Sequence, residues 1–251
     1  MNQLMQQAKT PQDGQAMVEM IVISFVTLLL LFSIVQFALL YNAKTLLNYA
    51  AYEAARAGAV NYSHPYAMRL ALAQKLATLE PVSKRGDAYD KLTAAQENVI
   101  SQFDNIACIK RVNPAPDNTL WSALANTPGT ASAIANDHLL YRNSQSSGPQ
   151  RISIQDANLL KISVTYCPKM IVPMVATAVK RLMLSTFPDP DPIKGWQHPT
   201  KTPFEKQCYE NNRFPMVAQA IIRMQTPVGR YGYQANDCRN ITSLAQQIGK
   251  R

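Results

Sequence analysis

Residues 14–41 read GQAMVEMIVISFVTLLLLFSIVQFALLY, and every arrangement of the remaining chain has to accommodate this stretch. From Met20 to Tyr41 no residue is charged, and the polar members are Ser24, Thr27, Ser33 and Gln36. A helix climbs about 1.5 Å per residue, so about 20 apolar residues cross a hydrocarbon core of about 30 Å. The run meets that length and predicts one membrane-spanning helix. Glu19 stands at its N-terminal edge. A carboxylate costs about 2.5–3.5 kcal/mol at the centre of a spanning helix. At the edge the cost falls, and the helix dipole favours an anion.

Residues 1–14 are short and polar, with Lys9, Asp13 and several glutamines. A secretory signal carries a basic start, an apolar stretch of about 7–15 residues and a small-residue cleavage site. This apolar run is longer than that, and helical sequence continues through Tyr41-Asn42-Ala43, the one weak site beyond it. The pattern describes a retained anchor. Past Tyr41, Ala43, Leu46, Leu47, Ala50, Ala51 and Ala54 keep an apolar face at helical spacing, with Lys44, Asn48, Tyr52 and Glu53 on other sides. Small residues let helices approach closely. The span is therefore expected to continue as a stalk to about Ala59, with Gly58 and Asn61 as stop signals.

A polar leader ending in Gly14, followed by Gln15, Ala16, Met17, Val18 and Glu19 as the first five residues of an apolar helix, resembles a type IV prepilin junction. The longer string from Gly14 through the Ala-rich Ala50-Ala51-Tyr52-Glu53-Ala54-Ala55-Arg56 resembles the TadE-like minor pseudopilins of tight-adherence (Flp) pilus systems. That resemblance implies cleavage between Gly14 and Gln15, and a role for Glu19 in subunit assembly through a neighbour's new N-terminal amine. It implies as partners a prepilin peptidase, other pilins and pseudopilins, and an inner-membrane assembly platform. It also implies a pilin-like α+β fold, in which a long N-terminal transmembrane helix packs on a small antiparallel-sheet head with extra helices. The domain limits read as 1–14 leader, 15–60 span and stalk, and 61–251 extracytoplasmic head.

Orientation is weakly encoded by charge, since Lys9 precedes the span while Lys44 and Arg56 follow it. Cysteines are more informative. Cys108, Cys167, Cys208 and Cys238 all follow the span, an even count suited to disulfides in an exported region. No two are close enough for a CxxC motif. The expected pairs are Cys108–Cys167, joining two strand-like segments, and Cys208–Cys238, closing a loop around the last strand. The N-terminus is then cytoplasmic and the head periplasmic, on a bacterial inner membrane, with incorporation into a pilus as an option.

The chain of 251 residues has a net charge of +9 and 47% hydrophobic residues. Its basic residues are scattered as singletons or pairs, such as Lys84-Arg85, Lys110-Arg111 and Lys180-Arg181. This reads as a solvated surface, and no specific nucleic-acid partner is expected.

After the stalk, Ser63-His64-Pro65 predicts a helix start running to Leu79, and Asp87 is the candidate cap of a further helix to about Phe103, whose apolar positions include Leu92, Ala95, Val99 and Ile100. Residues 106–112 read as a strand. Residues 113–150 read as a surface insertion with a short helix around Ser122. Ile152–Ile154, Leu160–Tyr166 and Met216–Met224 read as strands. In the second of these Ile162, Val164 and Tyr166 share one face. Met170–Leu184 is apolar with Pro173 in its first turn and Lys180-Arg181 in its last. It predicts a short helix too interrupted to span a membrane, with contact with one as the alternative. Residues 187–192 form a Pro-rich linker, and the tail after Pro227 reads as loop with a weak helix at 242–248.

The chain shows no GxSxG, HExxH or phosphate-binding loop. His64, His138 and His198 lack ligand spacing. Asp189 and Asp191 alternate with Pro as in a turn. Asn240-Ile241-Thr242 matches a glycosylation triplet of a kind that arises by chance, and Trp121, Trp196, Tyr231 and Tyr233 suit core or turn packing. No catalytic residue, metal or cofactor is indicated, and an enzyme is not expected. The leading reading is a minor pseudopilin or assembly component of a tight-adherence pilus, held in membrane lipid by its N-terminal helix. The alternative is a single-pass envelope protein that binds an anionic polymer.

Overall fold

A computed structural model describes residues 13–80, 86–115, 121, 124, 133–146, 152–185 and 202–230. Helix α1, Asp13–Val60, is continuous over 48 residues and so about 72 Å long at 1.5 Å per residue. Its first half is bare, with Met17, Ile21, Phe25 and Leu30 all more than half exposed. Its second half buries a stripe of Ala43, Leu47, Ala50, Ala51, Ala54, Ala55 and Ala59. Alanine on that stripe lets helix α2, Pro65–Leu76, and the sheet come close.

The closest approach is at Gly58. A Cβ there would lie 2.6 Å from Met68 Sδ and 3.0 Å from Leu160 Cδ2. The helix ends as Asn61 and Ser63 donate their N–H groups back to Gly58 O. Tyr62 and Ser63 take left-handed backbone, φ 56° and 59°, and turn the chain into α2. His64 caps α2 by accepting from Tyr66 N, with Pro65 in the first turn. A 3-10 turn, Ala77–Leu79, completes it.

Helix α3, Ala88–Ile106, follows Asp87 and buries Ala95, Val99, Phe103 and Ile106. It runs three residues past the expected end, because Phe103 and Ile106 continue its inward stripe. Strand β1, Ala107–Asn113, starts immediately after it. Strand β3, Leu159–Tyr166, is central in a three-stranded antiparallel sheet of order β1-β3-β4, where β4 is Met216–Arg223. Ile162, Val164 and Tyr166 face inward and stand opposite Ala220, Ala218 and Met216. The alanines of β4 leave room for α1, and Lys44 from α1 donates to Val217 O. A smaller pair joins β2, Ala133–Ile134, to β5, Val228–Gly229.

Three sequence expectations are corrected. Ile154 is not in a strand; it opens a short helix α4, Ile154–Ala157, because the Ser153 side chain accepts from Asp156 N and caps it. Lys180-Arg181 lies a turn before the end of helix α5, Pro173–Ser185. Helix α6, Pro203–Glu210, was not anticipated. A capping box starts it, with Thr202 and Glu205 each accepting from the other's backbone N–H, and Pro203 sits in its first turn.

That helix also overturns the expected cysteine pairs. The disulfide is Cys167–Cys208, with Cα atoms 6.0 Å apart. β1 and β3 are neighbours as expected, but Cys108 stands opposite Thr165, while α6 brings Cys208 to Cys167. Cys108 is disulfide-bonded as well, and Cys238 lies outside the described residues. So do Ser122, Trp196, His198, Asp189 and Asp191 with their linker, Tyr231, Tyr233, the Asn240 triplet and the weak helix after it.

Candidate functional site

The candidate site is the bare half of α1 together with the seam where the head first covers it. Gly14 and Gln15 lie in the first turn of α1, and Glu19 is exposed one turn above Gln15. Residues four apart share a helix face, which puts positions 15 and 19 on one side of α1. First-turn N–H groups have no intrahelical acceptor, which makes this end a favourable place for an acid. Ser24, Thr27 and Ser33 turn their hydroxyls back onto the carbonyls of Ile21, Ile23 and Leu29. They therefore present little polarity outward along the run.

Gln36 marks the seam. It is only 2% exposed, and its side-chain oxygen accepts from Ile171 N at 3.1 Å and Val172 N at 3.0 Å. These two N–H groups precede the first turn of α5, so Gln36 binds α5 to α1. In the sequence Gln36 was visible only as one of four polar residues in an apolar run. Its partners are about 135 positions away, beyond the reach of any local pattern.

Three arginines hold the head, of which Arg69 and Arg111 are buried. Arg213 Nη1 pairs with Glu80 Oε1 at 2.5 Å and donates to Cys167 O at 2.8 Å. Tyr166 donates its hydroxyl to the same carboxylate oxygen, 3.1 Å away. Burial, and then the Glu80 charge, push the Tyr166 hydroxyl far above its ordinary range. Arg111 is buried over the Trp121 ring, 5.3 Å from its centre, and donates to Gly229 O at 3.2 Å. Trp121 donates to Ala115 O. Arg69 pairs with Asp104, and burial lowers its guanidinium to about 10. These groups tie elements together.

His64 serves as a helix cap and His138 sits in a turn at φ 50°. Among the described residues no three His, Cys, Asp or Glu gather where a metal ion would sit. One described helix, over Met17–Val60, is long and apolar enough to cross a membrane. No curated protein and no solved structure matches the chain. Residues 14–56, from the glycine ahead of Glu19 to the last turn of α1, match the family whose model is described as TadE-like protein.

Proposed function

We propose that this protein is a minor pseudopilin or assembly component of a tight-adherence pilus. Residues 1–14 act as a leader, residues 15–60 as span and stalk, and residues 61–251 as the head. The observation that carries the reading is the division of α1. Its first half is apolar and uncovered, its second half is buried in a head, and the TadE-like match covers both halves and begins at Gly14. The uncovered half inserts into the inner membrane, with the N-terminus cytoplasmic and the head periplasmic. A prepilin peptidase cuts between Gly14 and Gln15. The work of the protein is structural: Glu19 accepts from the N-terminal amine of a neighbouring pilin, and the apolar helix joins others at the assembly platform.

Intact mass of membrane-extracted protein tests the cut. The expected chain begins at Gln15, and Gly14→Leu blocks processing. A mature chain that begins at Met1 would remove the pilin reading and leave the anchor. Glu19→Ala is expected to insert as well as the parent or better, since an apolar residue replaces a charge. It should recover much less pilus protein on co-purification. Normal recovery would show that Glu19 has no assembly role.

A further inference from the structure

Helix α5 presents an apolar strip to the outside of the head. Ile171 is 68% exposed, Leu182 55% and Met174 49%. On a helical wheel Met174, Val175, Ala178 and Leu182 fall on one flank. The opposite side is turned inward, with Ala176 at 3% exposure. The strip is also placed at a particular height on α1. Gln36 is the first buried position along α1 among the residues whose burial is described, and it is bonded to the segment entering α5. From Met20, the first residue after Glu19, to Gln36 a helix rises about 24 Å, which puts Gln36 within a few Å of the far side of a hydrocarbon core of about 30 Å. With α1 inserted, the start of α5 lies near the rim of the bilayer that α1 crosses.

Beside the strip runs a groove whose described lining is Thr177, Lys180, Arg181, Leu184 and Asn212, two of them cations. Lys180 donates across to Glu210 O on α6 at 2.7 Å, on the side of the helix that carries Ala176, while Arg181 borders the strip. An apolar strip with cations on its flank is the pattern of a helix lying in a membrane interface. Basic residues at that depth attract anionic headgroups.

We propose that α5 is an interfacial helix. Its Met174–Leu182 strip lies among the upper acyl chains, and the Lys180–Arg181 groove takes the phosphate of an anionic lipid. The head would then meet the membrane at two places, α1 and α5, which fixes its tilt. The proposal rests on the insertion of α1 proposed above.

The test uses full-length protein in nanodiscs whose acyl chains carry bromine, a short-range quencher of tryptophan emission. Trp121 and Trp196 give the same background in every variant. Phe25→Trp reports insertion of α1, Leu182→Trp reports α5, and Tyr89→Trp reports an exposed position on α3. An interfacial helix sinks about 5–10 Å into the boundary, so Leu182→Trp should be quenched at least about twofold more than Tyr89→Trp. Adding Lys180→Glu and Arg181→Glu should reduce that quenching in anionic discs and leave it unchanged in zwitterionic ones. If Phe25→Trp is quenched and Leu182→Trp is not, the proposal is overturned while the anchor stands. A blue-shifted but unquenched Leu182→Trp overturns it too, because protein then covers the strip. If Phe25→Trp is unquenched, the insertion reading itself fails. Quenching of Leu182→Trp that ignores headgroup charge and both Glu substitutions overturns the lipid-phosphate site.

Discussion

Between Met17 and Val35, α1 shows apolar side chains on every side. Between Ala43 and Ala59 it shows them on one. The two halves are one unbroken helix, so backbone propensity cannot account for the contrast. What differs is the solvent that each half is written for. The first half carries Leu, Ile, Val and Phe all round, as a helix needs where every direction is hydrocarbon. The second half narrows to an alanine stripe and returns Lys44, Asn48, Tyr52, Glu53 and Arg56 to the other sides. Bulk is useful in lipid, but against the head it would hold the sheet away. The small side chains of Ala50, Ala54 and Gly58 are thus as informative as the large ones of the span.

The sharpest way to break this contrast is to place one carboxylate in each half. Leu47 is fully buried in the head. Leu47→Asp combines lost packing with an unpaired buried charge and should destabilise the head by about 4 kcal/mol or more. Thermal unfolding and protease resistance of the head would report it, while the protein still inserts. Leu30→Asp should do the reverse. It costs insertion about 2.5–3.5 kcal/mol, read as loss from carbonate-washed membranes, and leaves a protease-resistant head. If either variant shows both defects to the same degree, the halves are not separate in function.

A smaller effect is expected from bulk alone. Gly58→Leu forces a side chain against Met68 and Leu160, both of them buried, and overpacking of this kind costs about 1–3 kcal/mol. Ala38→Leu, on the exposed part of α1, should leave the unfolding temperature of the head unchanged. Equal effects from the two would mean that Gly58 is not a close-approach position.

Much of this contrast is legible in residue order, because it is local. A period of 3.6 gives the stripe, and the length of the apolar run gives the span. Alternation in Leu160–Tyr166 and Met216–Met224 gives the two paired strands and groups Ile162, Val164 and Tyr166 on one face, but it does not say which face of β4 is inward, because Val217 and Ile221 are exposed. The helix at α6 was legible in principle from Thr202-Pro203-Phe204-Glu205, a capping box with proline in the first turn, yet its short and polar body hid it. Ser153 was readable as a cap by the same rule, where two isoleucines suggested a strand. Other features are non-local by nature. The Cys167–Cys208 bond depends on where α6 docks. Glu80 meets Arg213 across 133 positions, and no spacing rule reaches that far. For the candidate site the sequence offered Gly14, Gln15 and Glu19, which share a turn and a half of helix. The seam was not legible, since it needs residue 36 and residues 171–172 together.

That seam carries the smallest predicted effect, and it joins the two halves being compared. Gln36 is the last polar residue of the span and the first residue of α1 to be fully buried by the head. Its oxygen satisfies two backbone N–H groups. Gln36→Leu keeps the volume and the apolar character but removes the acceptor. A buried donor left unpaired costs about 1–3 kcal/mol, and nearby headgroups should relieve part of that, so about 1 kcal/mol is expected to remain. Since about 1.4 kcal/mol is tenfold in an equilibrium, amide exchange at Ile171 and Val172 should quicken several-fold, with no change in exchange across β3. Gln36→Glu keeps an acceptor oxygen and should restore protection at both amides. The outcome that counts against a specific seam is faster exchange throughout the head in Gln36→Leu, because Gln36 would then be acting as general packing instead of fastening α5 to α1.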